Sequence, residues 1–146
     1  MKMLHDTEVR RDIESRLANL TPEATRVWGT MTVDQMLWHV NLYLQFALGQ
    51  GVFEKEKSKI PAPIFRFMIL YMPWPKGSPT HPAAVAKQQY DFEAERKRCL
   101  ELIDGFVSRP LDGAWPADPV FGKVTGKFSS RLQAKHLNHH LTQFGA

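Results

Sequence analysis

The sequence predicts an all-α protein, a single-domain four-helix bundle with one extra short helix and long loops. Four stretches repeat apolar residues at three- and four-residue spacing, which is typical of helices that bury one face. No alternating run of β-branched residues is convincing as a strand, and Pro and Gly cluster between the helical stretches. The 146 residues are enough for one core, so residues 1–146 are expected to form one domain.

The first helix is predicted over residues 6–20. Asp6 or Thr7 can cap its N-terminus, and Pro22 disfavours a helical residue before it. The apolar side chains that predict its buried face are Val9, Ile13, Leu17 and Leu20.

The second helix is predicted over residues 32–49. Thr32 followed by Gln35 is the pattern of a capping box, and Gly49 suits the C-terminal stop. His39 lies on this helix, at the margin of its apolar stripe. A histidine in that place is therefore a candidate for a site between helices.

The middle of the chain is more irregular. Residues 50–60 are polar and charged, which predicts an exposed loop. A short helix is predicted over residues 64–72; because it is apolar nearly all round, it is either well buried or part of an oligomer contact. Residues 73–82 are a rigid, Pro-rich connection.

The third long helix is predicted over residues 88–107, with a charged first half and a stop at Arg109-Pro110. Cys99 lies among apolar residues of this helix and is expected to be a buried core thiol. Residues 111–126 are a Gly- and Pro-containing loop. The fourth helix is predicted over residues 129–144, capped by Ser129 or Ser130.

Composition and charge narrow the classes of function. Hydrophobic residues make up 43% and charged residues 23%, as in ordinary globular proteins, and no apolar run approaches the roughly 18 residues of a membrane span. The N-terminal residues are charged at once, without a signal segment, and a single Cys forms no internal disulfide. We therefore expect a cytoplasmic protein without membrane contact.

The net charge of +4 does not by itself predict a nucleic-acid partner. Basic residues are scattered and interleaved with acidic ones, as in residues 91–98, and no dense basic run with aromatic residues is present. We expect this charge to serve solubility, and we expect no nucleic acid as a partner.

Three of the six histidines fall in the last helix, at positions 136, 139 and 140. His136 and His140 are one turn apart and project side by side, so they can share one ion. With His39 from the second helix they would supply three nitrogen ligands to a divalent metal such as zinc or nickel. Three protein ligands leave a coordination position for water or substrate, as catalytic metal sites do.

Other interpretations of these residues stay open. His39 alone could be a hydrogen-bonded residue of the bundle, and a helical histidine pair also occurs on surfaces. His139 competes as a ligand because it lies three residues after His136, although the spacing turns it toward the other flank. His5 and His81 are given no role. Side chains that could bond to the ligands or contact a substrate are Gln35, Asn41, Tyr43, His139 and Gln143.

Six segments of the chain together resemble the DinB/YfiT-like superfamily of small helical bundles, and within it the uncharacterised DUF1569 branch. The segments are residues 20–22, 28–32, 35–39, 73–77, 119–126 and 136–145. They span nearly the whole chain, and the last two are the most specific. One departure is Phe128-Ser129-Ser130, where the branch often carries a Trp-Gly pair; this alters packing or the helix start and leaves the histidines in place.

The resemblance implies a four-helix bundle whose divalent metal is held by His39, His136 and His140. Better-studied relatives are metal-dependent thiol transferases, which join a low-molecular-weight thiol to an electrophile, and others have no known activity. The resemblance also implies a homodimer. No residue is assigned a catalytic role.

Three functions follow as hypotheses. The first is a metal-dependent enzyme acting on a small-molecule substrate, with thiol or other small-group transfer ahead of hydrolysis. No HExxH pattern is present, which argues against a metalloprotease of that type. The second is a non-catalytic protein that binds a metal or small ligand. The third is a dimeric interaction protein that uses its apolar segment 64–74.

Overall fold

The computed structural model describes residues 2–51, 54, 58–78 and 80–146. Over these residues the chain forms five α-helices and a 3₁₀ turn, Pro82–Ala84: α1 (Thr7–Asn19), α2 (Val33–Ala47), α3 (Ala62–Tyr71), α4 (Phe92–Val107) and α5 (Gly126–Gln143). The described ranges contain no strand, only an isolated bridge between Asp118 and Gly122. The all-α prediction is confirmed. None of the described helices combines the length and apolarity needed to cross a membrane.

Four helices form the bundle, and α3 lies outside it. Both α1 and α2 pack against α4 and against α5, so the order around the bundle is α1, α4, α2, α5. The core between them is apolar and includes fully buried Leu4, Leu37, Leu44, Cys99, Ile103 and Phe106. Because α2 and α5 are neighbours, side chains on their facing sides can meet.

The start of α2 confirms the predicted capping box. The Thr32 backbone N–H donates to Oε1 of Gln35 over 3.0 Å, which satisfies a donor that the helix itself leaves open. The helix is followed by Gly49 at φ +77°, a conformation that favours glycine. The capping box fixes the start of α2 at Val33, nearly two turns before His39.

The predicted start of α4 was four residues early. The helix begins at Phe92 because the Asp91 side chain caps it, accepting a hydrogen bond from the Ala94 N–H over 2.7 Å. Residues 88–90 bond elsewhere: the Tyr90 N–H donates to the carboxylate of Asp34 on α2. The apolar pattern of α4 was right, and the cap decided where it starts.

The predicted start of α5 was three residues late, and its predicted cap was wrong. Thr125 is the cap, accepting from the Phe128 N–H over 3.1 Å, and Gly126 is the first helical residue. Ser129 and Ser130 are buried inside the helix. The Ser130 hydroxyl accepts a hydrogen bond from the His5 N–H, so it serves the attachment of the N-terminus.

The short helix α3 is attached to the outside of α5. Arg66 donates to the Phe121 and Lys123 carbonyls, and Lys135 of α5 donates to the carbonyls of Ile69 and Met72. Its outer face is more than half exposed, through Ile64, Phe67 and Tyr71. Of the two predicted alternatives, burial within the chain is therefore wrong for this face. The prediction of a loop at 50–60 falls partly on residues 52, 53 and 55–57, outside the described residues.

Two glycines give a matched test of the packing. A Cβ at Gly126 would overlap with the Leu111 carbonyl and the indole of Trp115, whereas one at Gly105, exposed on α4, meets nothing. We expect Gly126→Ala to lower the free energy of unfolding by about 1–3 kcal/mol. Gly105→Ala should raise it by about 0.5–1 kcal/mol, since alanine is the better helix former. The midpoints of urea unfolding measure both changes in stability. If both substitutions shift the midpoint in the same direction and by the same amount, the packing of the 111–126 loop on α5 is contradicted.

Candidate metal centre

The three predicted ligands meet between α2 and α5. One nitrogen each from His39, His136 and His140 lies within 4.8 Å of the other two, and the Nε2 atoms of His39 and His136 are 3.1 Å apart. Nitrogens bound to one tetrahedral zinc at its usual bond lengths would be about 3.3 Å apart. The Nε2 atoms of His39 and His136 are therefore already at the separation expected around one ion, and a His140 nitrogen lies within 4.8 Å of both ligand nitrogens.

His39 is oriented by the protein backbone. Its Nδ1 lies 3.0 Å from the carbonyl oxygen of Ala84, at the end of the 3₁₀ turn. A carbonyl oxygen only accepts, so Nδ1 carries the hydrogen and the lone pair of the neutral ring is on Nε2. That lone pair faces His136. A hydrogen bond on the outer nitrogen is the usual support of a metal-ligating histidine.

His140 is oriented by a side chain. Its Nδ1 lies 2.8 Å from Oε1 of Gln143, and the Gln143 amide nitrogen donates to the Trp28 carbonyl over 2.9 Å. The amide direction thus places an acceptor at Nδ1, which leaves Nε2 of His140 for the ion. Gly29, which follows Trp28, has φ +88°, and a Cβ there would overlap with the Gln143 amide. Glycine is required at this point for the loop to approach α5.

Burial keeps the three imidazoles neutral. Their exposed fractions are 3% for His39, 7% for His136 and 8% for His140. Burial lowers the pKa of all three: it takes the pKa of His140 to about 3, and that of His136 falls well below 6.5, also because of the neighbouring histidines. Neutral imidazole is the form that binds metal, so the arrangement fits a divalent ion near neutral pH.

His139 lies outside this cluster, on the flank to which its spacing assigns it. Its ring contacts the indoles of Trp28 and Trp74, with centroids 5.6 and 5.3 Å away. It also touches His140 edge-on, at 5.0 Å. Burial and the charge of Lys135 lower its pKa.

The other side chains predicted to bond to the ligands or contact a substrate differ in where they lie. The Tyr43 ring packs on His39 and His136, with centroids 5.1 and 4.8 Å away, so it forms part of the wall. Gln35 is one turn before His39, with its amide bonded to the Gln88 carbonyl. Asn41 is directed to α4, where its amide donates to the carbonyl and carboxylate of Glu95, and is not brought to the histidines.

Two groups that surround the histidines, the Ala84 carbonyl and Trp74, were not predicted from the sequence. The Ala84 carbonyl is a backbone group, and only the His81-Pro82 step hints at the turn that delivers it: Nδ1 of His81 accepts from the Ala83 N–H. Trp74 packs 5.8 Å from His136, with its indole N–H bonded to the Ile69 carbonyl. A tryptophan between two prolines was a usable sign that the 73–78 connection packs against the bundle.

Comparison with known proteins gives a family. The sequence model of the DinB superfamily matches residues 5–144. No curated protein and no solved structure matches the chain significantly.

The ligand set predicts a pattern of metal content. Protein purified without a His tag should carry a near-stoichiometric divalent ion. His39→Ala, His136→Ala and His140→Ala should each lose it, and His139→Ala should retain it. Gln143→Leu should bind it roughly 10- to 100-fold more weakly, because it removes the acceptor at Nδ1 of His140. Elemental analysis and chelator competition measure these effects. Retention of the ion in His39→Ala or His136→Ala would rule out the three-histidine site.

The buried neutral imidazoles also predict how the stability of the metal-free protein depends on pH. An unfolded histidine takes up a proton near pH 6.5, whereas folded His140 does so only near pH 3. The unfolded chain therefore binds more protons between these values, and stability falls as the pH drops from 7 toward 3. For His140 alone the loss is about 1.4 kcal/mol per pH unit. Urea unfolding in chelator at several pH values measures it. His140→Gln should flatten the dependence, and a flat profile for the unmodified chain would contradict the burial.

Proposed function

Since this chain belongs to the DinB superfamily, we propose that it binds a divalent metal ion, zinc or nickel, through His39, His136 and His140. The observation that carries the proposal is the meeting of three neutral imidazoles whose outer nitrogens, at His39 and His140, are already bonded to acceptors. Proteins of this superfamily are often metal-binding. Imidazole nitrogen suits borderline ions such as zinc and nickel better than magnesium or calcium, which prefer oxygen.

The activity that we propose is transfer of a low-molecular-weight thiol to a small electrophile. Such a reaction forms a sulfur–carbon bond, releases the thiol proton and expels the leaving group of the electrophile. A divalent ion with an open position would lower the pKa of a thiol bound to it and so supply the reactive thiolate. The same ion could activate water, and we place hydrolysis second.

The protein's own residues would contribute orientation and exclusion of water. The carbonyl of Ala84 and the amide of Gln143 keep two ligand rings in one tautomer, so they present lone pairs without rearranging. The rings of Tyr43 and Trp74 cover His136 from the sides where they pack. A thiolate in such surroundings would be less hydrated and more reactive than one in water.

We further propose that the chain belongs to the DUF1569 branch, on the strength of residues 119–126 and 136–145, and that it works in the cytoplasm.

The second candidate function is non-catalytic metal binding. The observation that favours it is the low exposure of the three histidines, since a substrate must reach the ion before it can react.

A thiol-plus-electrophile assay separates the two candidates. Metal-loaded protein would be mixed with cysteine, glutathione or another small thiol and an activated aryl chloride, and product would be followed by absorbance. We expect turnover above the uncatalysed rate, its loss on chelation and in His136→Ala, and unchanged turnover in Lys97→Gln, an exposed α4 variant. A protein that holds its metal but gives no turnover with any thiol would instead be a binder.

A further inference from the structure

A small pocket lies directly beside the histidine cluster. Its volume is about 200 Å³, and it is lined by Trp28, Trp74, Lys135, Asn138, His139 and Thr142. Two of these residues are shared with the cluster's surroundings: Trp74 touches His136, and His139 touches His140. The pocket and the candidate metal centre are therefore separated by the thickness of one side chain.

The charged side chain that lines this pocket is basic, and the nearby Arg16, which donates to Asn138 and Thr142, has its charge paired with Asp12. Within the described part of the chain no carboxylate lines it, whereas Lys135 does, and Lys76 stands over the Trp28 ring with its Nζ 5.0 Å from the centroid. Lys135 is held in place by its bonds to the Ile69 and Met72 carbonyls, with its Nζ 5.3 Å from the Trp74 ring. Such a pocket attracts anions and repels cations.

The walls of the pocket are aromatic and the space is small. Trp28 and Trp74 both line it, and His139 contacts both indoles. The volume is below the roughly 300–1,000 Å³ of pockets for drug-sized ligands, so it suits a molecule with about one ring. Asn138 and Thr142 also line it, and their side-chain oxygens accept hydrogen bonds from Arg16.

A larger pocket of about 380 Å³ lies between α1 and α5 and is a weaker candidate. Glu8 and Asp12 line it together with basic residues, so its charge favours neither sign. It touches none of the three clustered histidines. It shares Lys135 and Asn138 with the smaller pocket, but its lining contains neither tryptophan nor His139.

We propose that the pocket between Trp28 and Trp74 binds the organic substrate of the metal centre, and that this substrate is a small carboxylate with a flat, ring-sized apolar part. That this ligand is a substrate rests on the proposed function. Its chemical class rests on the pocket alone. The carboxylate pairs with Lys76 and Lys135, and the flat part lies between the indoles. Bound there, it is next to His139 and one side chain away from the ligands.

The four tryptophans provide a built-in test of location. Trp28 and Trp74 line the pocket, while Trp38 stacks on Tyr90 and Trp115 packs on Phe106, both elsewhere in the bundle. The full chain would be titrated with benzoate while the four indole N–H signals are followed by two-dimensional NMR, assigned with Trp→Phe variants. We expect saturable shifts at Trp28 and Trp74, with little change at Trp38 and Trp115.

Matched ligands test the chemistry. Benzamide keeps the ring and removes the charge, propionate keeps the charge and removes the ring, and benzylammonium reverses the charge. We expect each to bind more weakly than benzoate. Lys76→Gln should weaken benzoate about two- to fivefold, as expected of a partly exposed ion pair, and Lys97→Gln should not. Because Lys76 is exposed, its replacement should leave the fold intact.

The titration is run on metal-loaded and on metal-free protein, so its result is independent of the thiol-transfer assay. Benzoate binding to both forms supports the pocket even if no thiol is transferred, and turnover without benzoate binding leaves the metal function standing while overturning the pocket. The inference is also overturned if benzamide or benzylammonium binds as well as benzoate. Shifts that spread to Trp38 and Trp115, or binding only when the metal is present, overturn it too.

Discussion

The structure depends on one constraint: the three imidazoles of the cluster share a buried space. Their N–H groups cannot all point into that space, because the hydrogens would repel one another. Charge is excluded by burial, so each ring must be neutral, and each neutral ring has one nitrogen with a hydrogen and one without. The hydrogens at His39 and His140 are drawn outward by the Ala84 carbonyl and the Gln143 amide. The lone pairs are left facing inward, where a cation is the natural partner.

This constraint explains why the irregular parts of the chain are long. The connection from α3 to α4 would be excessive for a plain bundle, yet it delivers both Trp74 and Ala84 to the histidines. The loop between α1 and α2 does the same on the other side: its Trp28 carbonyl accepts from Gln143, and its Val27 N–H donates to the carbonyl of that residue. The helices carry the three histidines, and the loops help to orient His39 and His140.

The helical pattern predicted the all-α fold and the helix on which each of the three histidines lies, because both follow from local spacing. His136 and His140 share a face at any four-residue separation in a helix, and the capping box placed His39 correctly on α2. The starts of α4 and α5 were wrong because Asp91 and Thr125 cap them, and several neighbouring residues offered similar capping chemistry. The support from Ala84 could not be predicted, since a backbone carbonyl leaves no trace in residue identity and its position depends on tertiary packing.

The bridge from His140 through Gln143 to the loop at Gly29 has a consequence for protein engineering. Transplanting the three histidines onto another four-helix scaffold would copy the ligands without the device that selects their tautomer. The recipient helix would also need a glutamine three residues after the last histidine. A loop would have to approach that helix through a glycine, so that the glutamine amide can donate to the carbonyl of the residue before the glycine. The smallest transferable unit is therefore a pair of helices together with the loop before the first helix and the turn that carries the Ala84 carbonyl, not a short motif.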